Sequence, residues 1–185
     1  PVFMLLGQSA AKAASLAIDG NVMVQEIDAK EIQRMYEEDP LMDGSTPDVL
    51  VDDPQIELGE KSKWERVKSN SGFGPSYIKL DQTKGKQSLK FPVNVQKDGK
   101  YDLYTYFIRN RESTERAEIL IRNGKDVSTF VLEQKEIVVR GQTSGEWVSI
   151  GEYDLKADTP AYVEFTNNGN VNGIVIADAV LAVAK

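Results

Sequence analysis

From Val49 to the end of the chain, apolar residues recur at every second position in short segments cut by Gly, Asn and Asp. A period of two places successive side chains on opposite faces of a strand, so each segment can bury one face and leave the other to solvent. The spacing predicts strands over Val49–Asp52, Trp64–Lys68, Tyr77–Leu80, Gln87–Val93, Lys100–Ile108, Arg116–Arg122, Val127–Gln134, Glu146–Leu155, Ala161–Thr166 and Gly173–Val183. Asn123-Gly124 has the chemistry of a type I′ hairpin turn, and Asp98-Gly99 punctuates the entry to another strand. Many short strands with no helical pattern between them predict a mainly β fold, an antiparallel β-sandwich of jelly-roll kind.

The residues ahead of this region follow another pattern. Val2 to Leu6 form a continuous apolar run that suits a short strand buried on both faces. Gly7-Gln8-Ser9 then supplies a turn and an N-cap, and Ala10, Ala13, Ala14 and Ala17 recur at helical spacing. Asp28 and Glu31 have the spacing of a capping box, Ile27 and Ile32 that of a hydrophobic staple, and the helix they open should end near Glu38, before Pro40. The stretch DPLMDGSTPD has the composition of a linker. The expected division is therefore 1–47, a strand and two α-helices with a linker, and 48–185, the sandwich.

Composition narrows the chemistry. With 22 basic against 29 acidic residues and a net charge of −7, the chain lacks the clustered cations that nucleic-acid binding needs. It has no His and no Cys, which excludes Ser-His-Asp and Cys-His catalysis and the usual zinc ligand sets. Val2–Leu6 is far shorter than the ~20 apolar residues of a membrane span, and it lacks the basic leader and cleavage site of a signal peptide.

The strand from Lys100 to Ile108 is aromatic on both faces: Tyr101, Leu103 and Phe107 point one way, Tyr104, Tyr106 and Ile108 the other. One face must be core; the second lies under a loop or forms an aromatic platform for sugar rings. Tyr104 and Tyr106, with Arg109 and Arg111 following at the rim, are the candidate ligand residues. Trp147 and Tyr153 are assigned to the core, and Asp178, between two alanines, to a buried carboxylate that ties strand ends together through backbone N–H groups. No catalytic residue is assigned. Asp52 and Asp53, with the turn Asn167-Asn168-Gly169-Asn170, are weak calcium candidates, because hard cations take several oxygens and the chain has no fixed-spacing calcium loop.

Two stretches resemble known families. VFMLLGQSAAKAASLAID with VQEIDAKEIQRMY resembles the C-terminal end of bacterial FAD-dependent oxidoreductases. The resemblance implies that Gly7, Gln8 and Ser9 face the flavin at a helix N-terminus, where N–H groups and the helix dipole favour negative charge. The Gly-x-Gly-x-x-Gly turn that cradles FAD pyrophosphate does not occur in the chain, so FAD is expected only in a longer protein and no cofactor in this chain.

VLVDDP, Trp64, GFGPSY, GKYDLYTYF, TFVLEQ, GEWVSIGEY and VIADAV together resemble the golvesin C-terminal-like domain, also described as a xanthan-lyase-type carbohydrate-binding module. Where that family commonly has a Trp-rich strand and a Pro-containing loop, this chain has Tyr104-Thr105-Tyr106-Phe107 and then Ile108-Arg109-Asn110-Arg111. The resemblances imply a noncatalytic C-terminal β-sandwich, carbohydrate-binding or domain-docking, in an extracytoplasmic (periplasmic or secreted) FAD-dependent oxidoreductase. Its expected partners are a polysaccharide and its own upstream flavin domain. Two alternatives stand beside this. One is a polysaccharide lyase of the xanthan type, with Tyr104, Tyr106, Arg109 and Arg111 moving the proton and neutralising charge, or the accessory domain of such a lyase. The other is a structural module that forms a homodimer through the N-terminal segment.

Overall fold

The computed structural model describes residues 2–40, 46–81, 85–139, 145–168 and 172–185. These fall into two compact units, the N-terminal helices (2–40) together with Val139, and a larger β unit made of the described residues of 46–138 and 145–185.

In the N-terminal unit, α1 runs from Val2 to Gly20 and α2 from Ala29 to Glu38. The expected strand at Val2–Leu6 is thus helical, and Gly7-Gln8-Ser9 is a middle turn of α1 rather than a junction. Met4, Leu5, Leu6 and the alanines are strong helix formers, and together they outweigh the ~1 kcal/mol that one interior Gly costs. Asp28 caps α2 by accepting the Lys30 N–H at 2.9 Å, while Glu31 pairs with Arg34 instead of closing the box. Ala13, Ala17 and Met35 are buried, and Ser9 Oγ and the Tyr36 hydroxyl lie 3.0 Å apart, joining the two helices.

The β unit is an antiparallel sandwich of eleven described strands. They are β1 (Val49–Val51), β2 (Trp64–Lys68), β3 (Ser76–Leu80), β4 (Ser88–Pro92), β5 (Gly99–Ile108), β6 (Arg116–Asn123), β7 (Asp126–Glu133), β8 (Gly145–Leu155), β9 (Ala161–Thr166), β10 (Val175–Ala177) and β11 (Val180–Ala184). Three sheets have the orders β1-β11-β5-β8, β10-β3-β2 and β4-β9-β6-β7. Ile78, Leu80, Phe91, Leu103, Ile119, Ile121, Val163 and Leu181 have almost no exposed surface. Each such side chain contributes about 1.5–3 kcal/mol relative to exposure.

Two departures from regular alternation shape the site. The segment expected as one strand over Gly173–Val183 breaks at Asp178-Ala179, so that β10 belongs to one sheet and β11 to another. At that corner the Ala179 carbonyl accepts the Tyr106 N–H at 2.8 Å and the Thr105 hydroxyl at 3.2 Å, which pins the junction to β5. In β8 the register shifts by one residue opposite Leu103 and Tyr104. The bulge turns Ile150 into the core, and Gly151 there has a φ of +119°, a conformation open to glycine. The β6–β7 turn is Gly124-Lys125, because Asn123 pairs with Asp126; positive φ at Gly124 but not Lys125 is the II′ pattern rather than the expected I′.

Candidate functional site

Three carboxylates meet where β1, the β2–β3 loop and the β10–β11 corner come together. Asp52 and Asp53 follow β1 and open a short 3-10 turn, in which the Asp52 carboxylate accepts the Asp53 N–H at 2.9 Å and Gln55 Oε1 accepts the Asp52 N–H at 2.7 Å. Asp53 has no exposed surface. It accepts Arg66 Nε at 2.8 Å and the Ser76 hydroxyl at 3.0 Å, and Arg66 also donates to the carbonyls of Asp53 and Ile56, each at 2.6 Å. Asp178, also without exposed surface, accepts the Phe73 N–H on Oδ2 at 2.7 Å, while its Oδ1 is buried with no hydrogen-bond partner among the described residues. Oxygens of Asp52, Asp53 and Asp178 lie within 4.8 Å of one another.

Burial is the main cause of the unusual titration here. It pushes the Asp178 carboxyl up to about 7 against the opposing Phe73 N–H, with the charges of Asp52 and Asp53 adding to the rise. Asp52 is raised as well, first by burial, with the Asp53 N–H working against it.

The loop over these acids is Gly72-Phe73-Gly74. A Cβ on Gly74 would stand 2.4 Å from Asp52 Oδ2, and one on Gly72 would stand 2.5 Å from the Ser76 carbonyl and 3.3 Å from both Asp178 carboxylate oxygens. Glycine at both positions is what lets the backbone lie against the carboxylates.

The same loop delivers Phe73, 38% exposed, onto two rings of the outer sheet face. Tyr106 on β5 and Trp147 on β8 are cross-strand partners with centroids 5.2 Å apart. Phe73 lies 5.1 Å from Trp147 and 5.7 Å from Tyr106. The planes cross at 60–76°, so the rings form a notch rather than a flat platform. Gly145 makes room for it, since a Cβ there would stand 2.4 Å from Tyr106 Cε1.

Tyr104 and Tyr106 share the half-buried outer face of β5, opposite buried Tyr101, Leu103 and Phe107, as the alternation predicts. Only Tyr106 enters the aromatic group; Tyr104 lies across from Ser149, and burial raises its hydroxyl pKa. Arg109 and Arg111 are exposed on the loop after β5, which Ser113 and Ile174 anchor through a parallel bridge. Trp147, expected in the core, is half-buried on the outer face, and Tyr153 is half-buried with its hydroxyl donating to the Ile150 carbonyl at 2.9 Å.

Of the calcium candidates, Asp52 and Asp53 do converge, but the third oxygen group near them is Asp178. Asn167 is committed elsewhere: it accepts the Gln87 N–H at 2.8 Å and donates to the Gly85 carbonyl at 3.1 Å, while Gly169 and Asn170 lie outside the described residues. Gly7 and Gln8 are exposed within α1, and Ser9 faces Tyr36. Their N–H groups lie within α1 rather than at its first turn. A second, open groove lies by the far end of β8, lined by Lys125, Asp126, Glu152, Tyr153, Asp154 and Lys156. Ile121, Asn123, Ser128 and Thr159 complete its walls, which mix charged, polar and apolar groups.

The β unit is thus an antiparallel sandwich that carries a half-exposed aromatic group on one face. Residues 49–183 match the golvesin C-terminal domain, and the chain belongs to that family. In fold it is similar to a family 35 carbohydrate binding module from Clostridium thermocellum, with a TM-score of 0.55 and 11% identity over 76% of this chain and 100% of that one. It is likewise similar to part of a Paenibacillus xanthan lyase, with a TM-score of 0.60 and 22% identity over 74% of this chain and 13% of the lyase. A Podospora anserina β-(1,4)-mannanase of the GH26-CBM35 type aligns with a TM-score of 0.50 and 17% identity over 74% of this chain and 27% of that one. The match therefore spans a small part of both enzymes. No curated protein matches the sequence. Among the described residues no helix is long and apolar enough to cross a membrane.

Proposed function

We propose that the sandwich binds a polysaccharide outside the cytoplasm through the notch of Phe73, Tyr106 and Trp147, with Tyr104 beside it and Arg109 and Arg111 at the rim. The observation that carries this is the mutual packing of three half-exposed rings on one sheet face. Aromatic surface left in water costs free energy, and a grouped apolar patch on an otherwise charged protein marks a binding surface. Rings in mutual contact with planes inclined at 60–76° offer a short, uneven surface, which suits one or two sugar residues laid against it better than a long flat chain. Affinity gel electrophoresis in xanthan, β-glucan and β-mannan tests the reading. Retardation in at least one gel, lost in Trp147→Ala and Tyr106→Ala but kept in Tyr153→Ala, is expected; equal mobility in all gels contradicts it.

Attachment of the module to a FAD-dependent oxidoreductase rests on the sequence resemblance of the first forty residues. A second feature supports docking of that unit onto further apolar surface: Leu6, Ile18, Val22, Met23 and Val24 are 44–66% exposed. Purification of the protein from its natural source checks the link, with flavin absorbance expected in the folded protein and its absence contradicting it.

A further inference from the structure

We propose that Asp52, Asp53 and Asp178 hold a hard divalent cation of the calcium class, and that this cation fixes the Gly72–Gly74 loop and so places Phe73 in the aromatic notch. The coupling half rests on the notch being the ligand face; the cation half does not.

Charge is the first argument. Three carboxylates converge, and Arg66 pairs with Asp53, which leaves Asp52 and Asp178 without a cationic partner among the described residues in a region where Asp53 and Asp178 have no exposed surface. Buried charge persists only when it is paired or coordinated. The second argument is the Asp178 Oδ1 atom, buried at the cluster and without a hydrogen-bond partner among the described residues. Such an atom is costly to leave unmade, and a cation would satisfy it.

Geometry and donor type then select the ion. Oxygens bound to one calcium at 2.3–2.6 Å stand no more than about 5 Å apart, and the three carboxylates offer oxygens within 4.8 Å of one another. The chain has neither His nor Cys, so the donors are oxygen only, a set that suits hard cations rather than zinc. The loop backbone, pressed against Asp52 and Asp178 by the two glycines, adds peptide groups beside the site.

The mechanical link is short. Asp178 holds the Phe73 N–H at 2.7 Å, and the ring of that residue packs on Trp147 and Tyr106. A cation that orders Asp178 therefore orders the one ring of the notch that comes from a loop rather than a strand.

The test uses the full chain, stripped with chelator and titrated calorimetrically with CaCl2 and, separately, MgCl2, with thermal unfolding followed in parallel. One calcium per chain, and an unfolding midpoint that climbs and saturates with calcium, are expected. Asp178→Asn keeps the side-chain size and an acceptor for Phe73 and should abolish both signals while its near-UV circular dichroism shows a folded protein. Gly74→Ala should weaken calcium binding at least tenfold by displacing Asp52. Absence of heat and of a midpoint shift in the wild-type protein, or an equal shift in Asp178→Asn, overturns the site. For the coupling, affinity for the polysaccharide that retards the wild-type protein is compared in calcium and in chelator. A drop of at least tenfold in chelator supports it, and unchanged affinity overturns it. If no polysaccharide binds while calcium still does, the ligand-face reading and the coupling fail and the cation site stands.

Discussion

Ile78, Phe91, Ile119 and Val163 of the sandwich are wholly out of solvent, whereas Leu6, Ile18 and Met23 of the N-terminal unit are 61%, 66% and 64% exposed. Both units contain apolar residues, but their geometries differ. Antiparallel strands close a core between sheets, and the sandwich has enough chain to do so. Two helices of 19 and 10 residues can shield only a narrow stripe, here Ala13, Ala17 and Met35. Ala contributes little area, so the described side chains of the helical unit gain little from hydrophobic burial. The sandwich closes its own core, whereas the helices bury a narrow stripe among the described residues, and function is sought first where the structure supports itself.

The largest test of that contrast is to separate the units. A fragment of residues 46–185 should unfold cooperatively near the midpoint of the full chain, while a peptide of residues 1–45 should be mostly coil by far-UV circular dichroism, since helices of this length are marginal alone. A strongly helical peptide would break the comparison. Within the intact chain, Phe91→Ala removes a ring packed 5.2 Å from Phe165 and should cost about 3–5 kcal/mol in denaturant unfolding. Met35→Ala should leave that main transition in place.

A smaller effect concerns pH. In chelator the folded protein holds a proton on Asp178 up to about 7, well above the ordinary value of 3.8, so the folded state binds more protons than the unfolded one between those values. Stability should then fall as pH rises from about 4 to about 7 and level off above, by up to about 4 kcal/mol; Asp178→Asn should flatten the profile. The smallest effect is at the surface. Glu152, held at about 2 first by the Lys185 hydrogen bond and then by Lys100, loses its pairing only as pH falls from about 4.5 to about 2. Glu152→Gln should barely move the unfolding midpoint at neutral pH, and less still at high salt.

Most of the sandwich was legible because its strands alternate cleanly. The boundaries of β2 and β9 are as the spacing predicts, and the outer face of β5 was readable from Tyr104 and Tyr106. The β10–β11 corner was not, since Asp178 interrupts an apolar run without a Gly or Pro to mark the break. One bulge at Ile150 was enough to misplace Trp147, because a single extra residue reverses which face each side chain takes. The run Val2–Leu6 is apolar throughout, so periodicity could not separate a buried strand from a helix. Phe73 was missed as a site residue although a signal existed: an aromatic ring between two glycines is a loop built for close backbone approach.

One titration decides whether the Phe73–Tyr106–Trp147 face binds polysaccharide. With Trp64 replaced by Phe, so that Trp147 is the remaining tryptophan of this chain, the polysaccharide that retards the protein is added in calcium while fluorescence is recorded. A saturable change in Trp147 emission, abolished by Tyr106→Ala, is predicted. Binding that leaves Trp147 emission untouched, or no binding to any of the three polysaccharides, would contradict the assignment of this face.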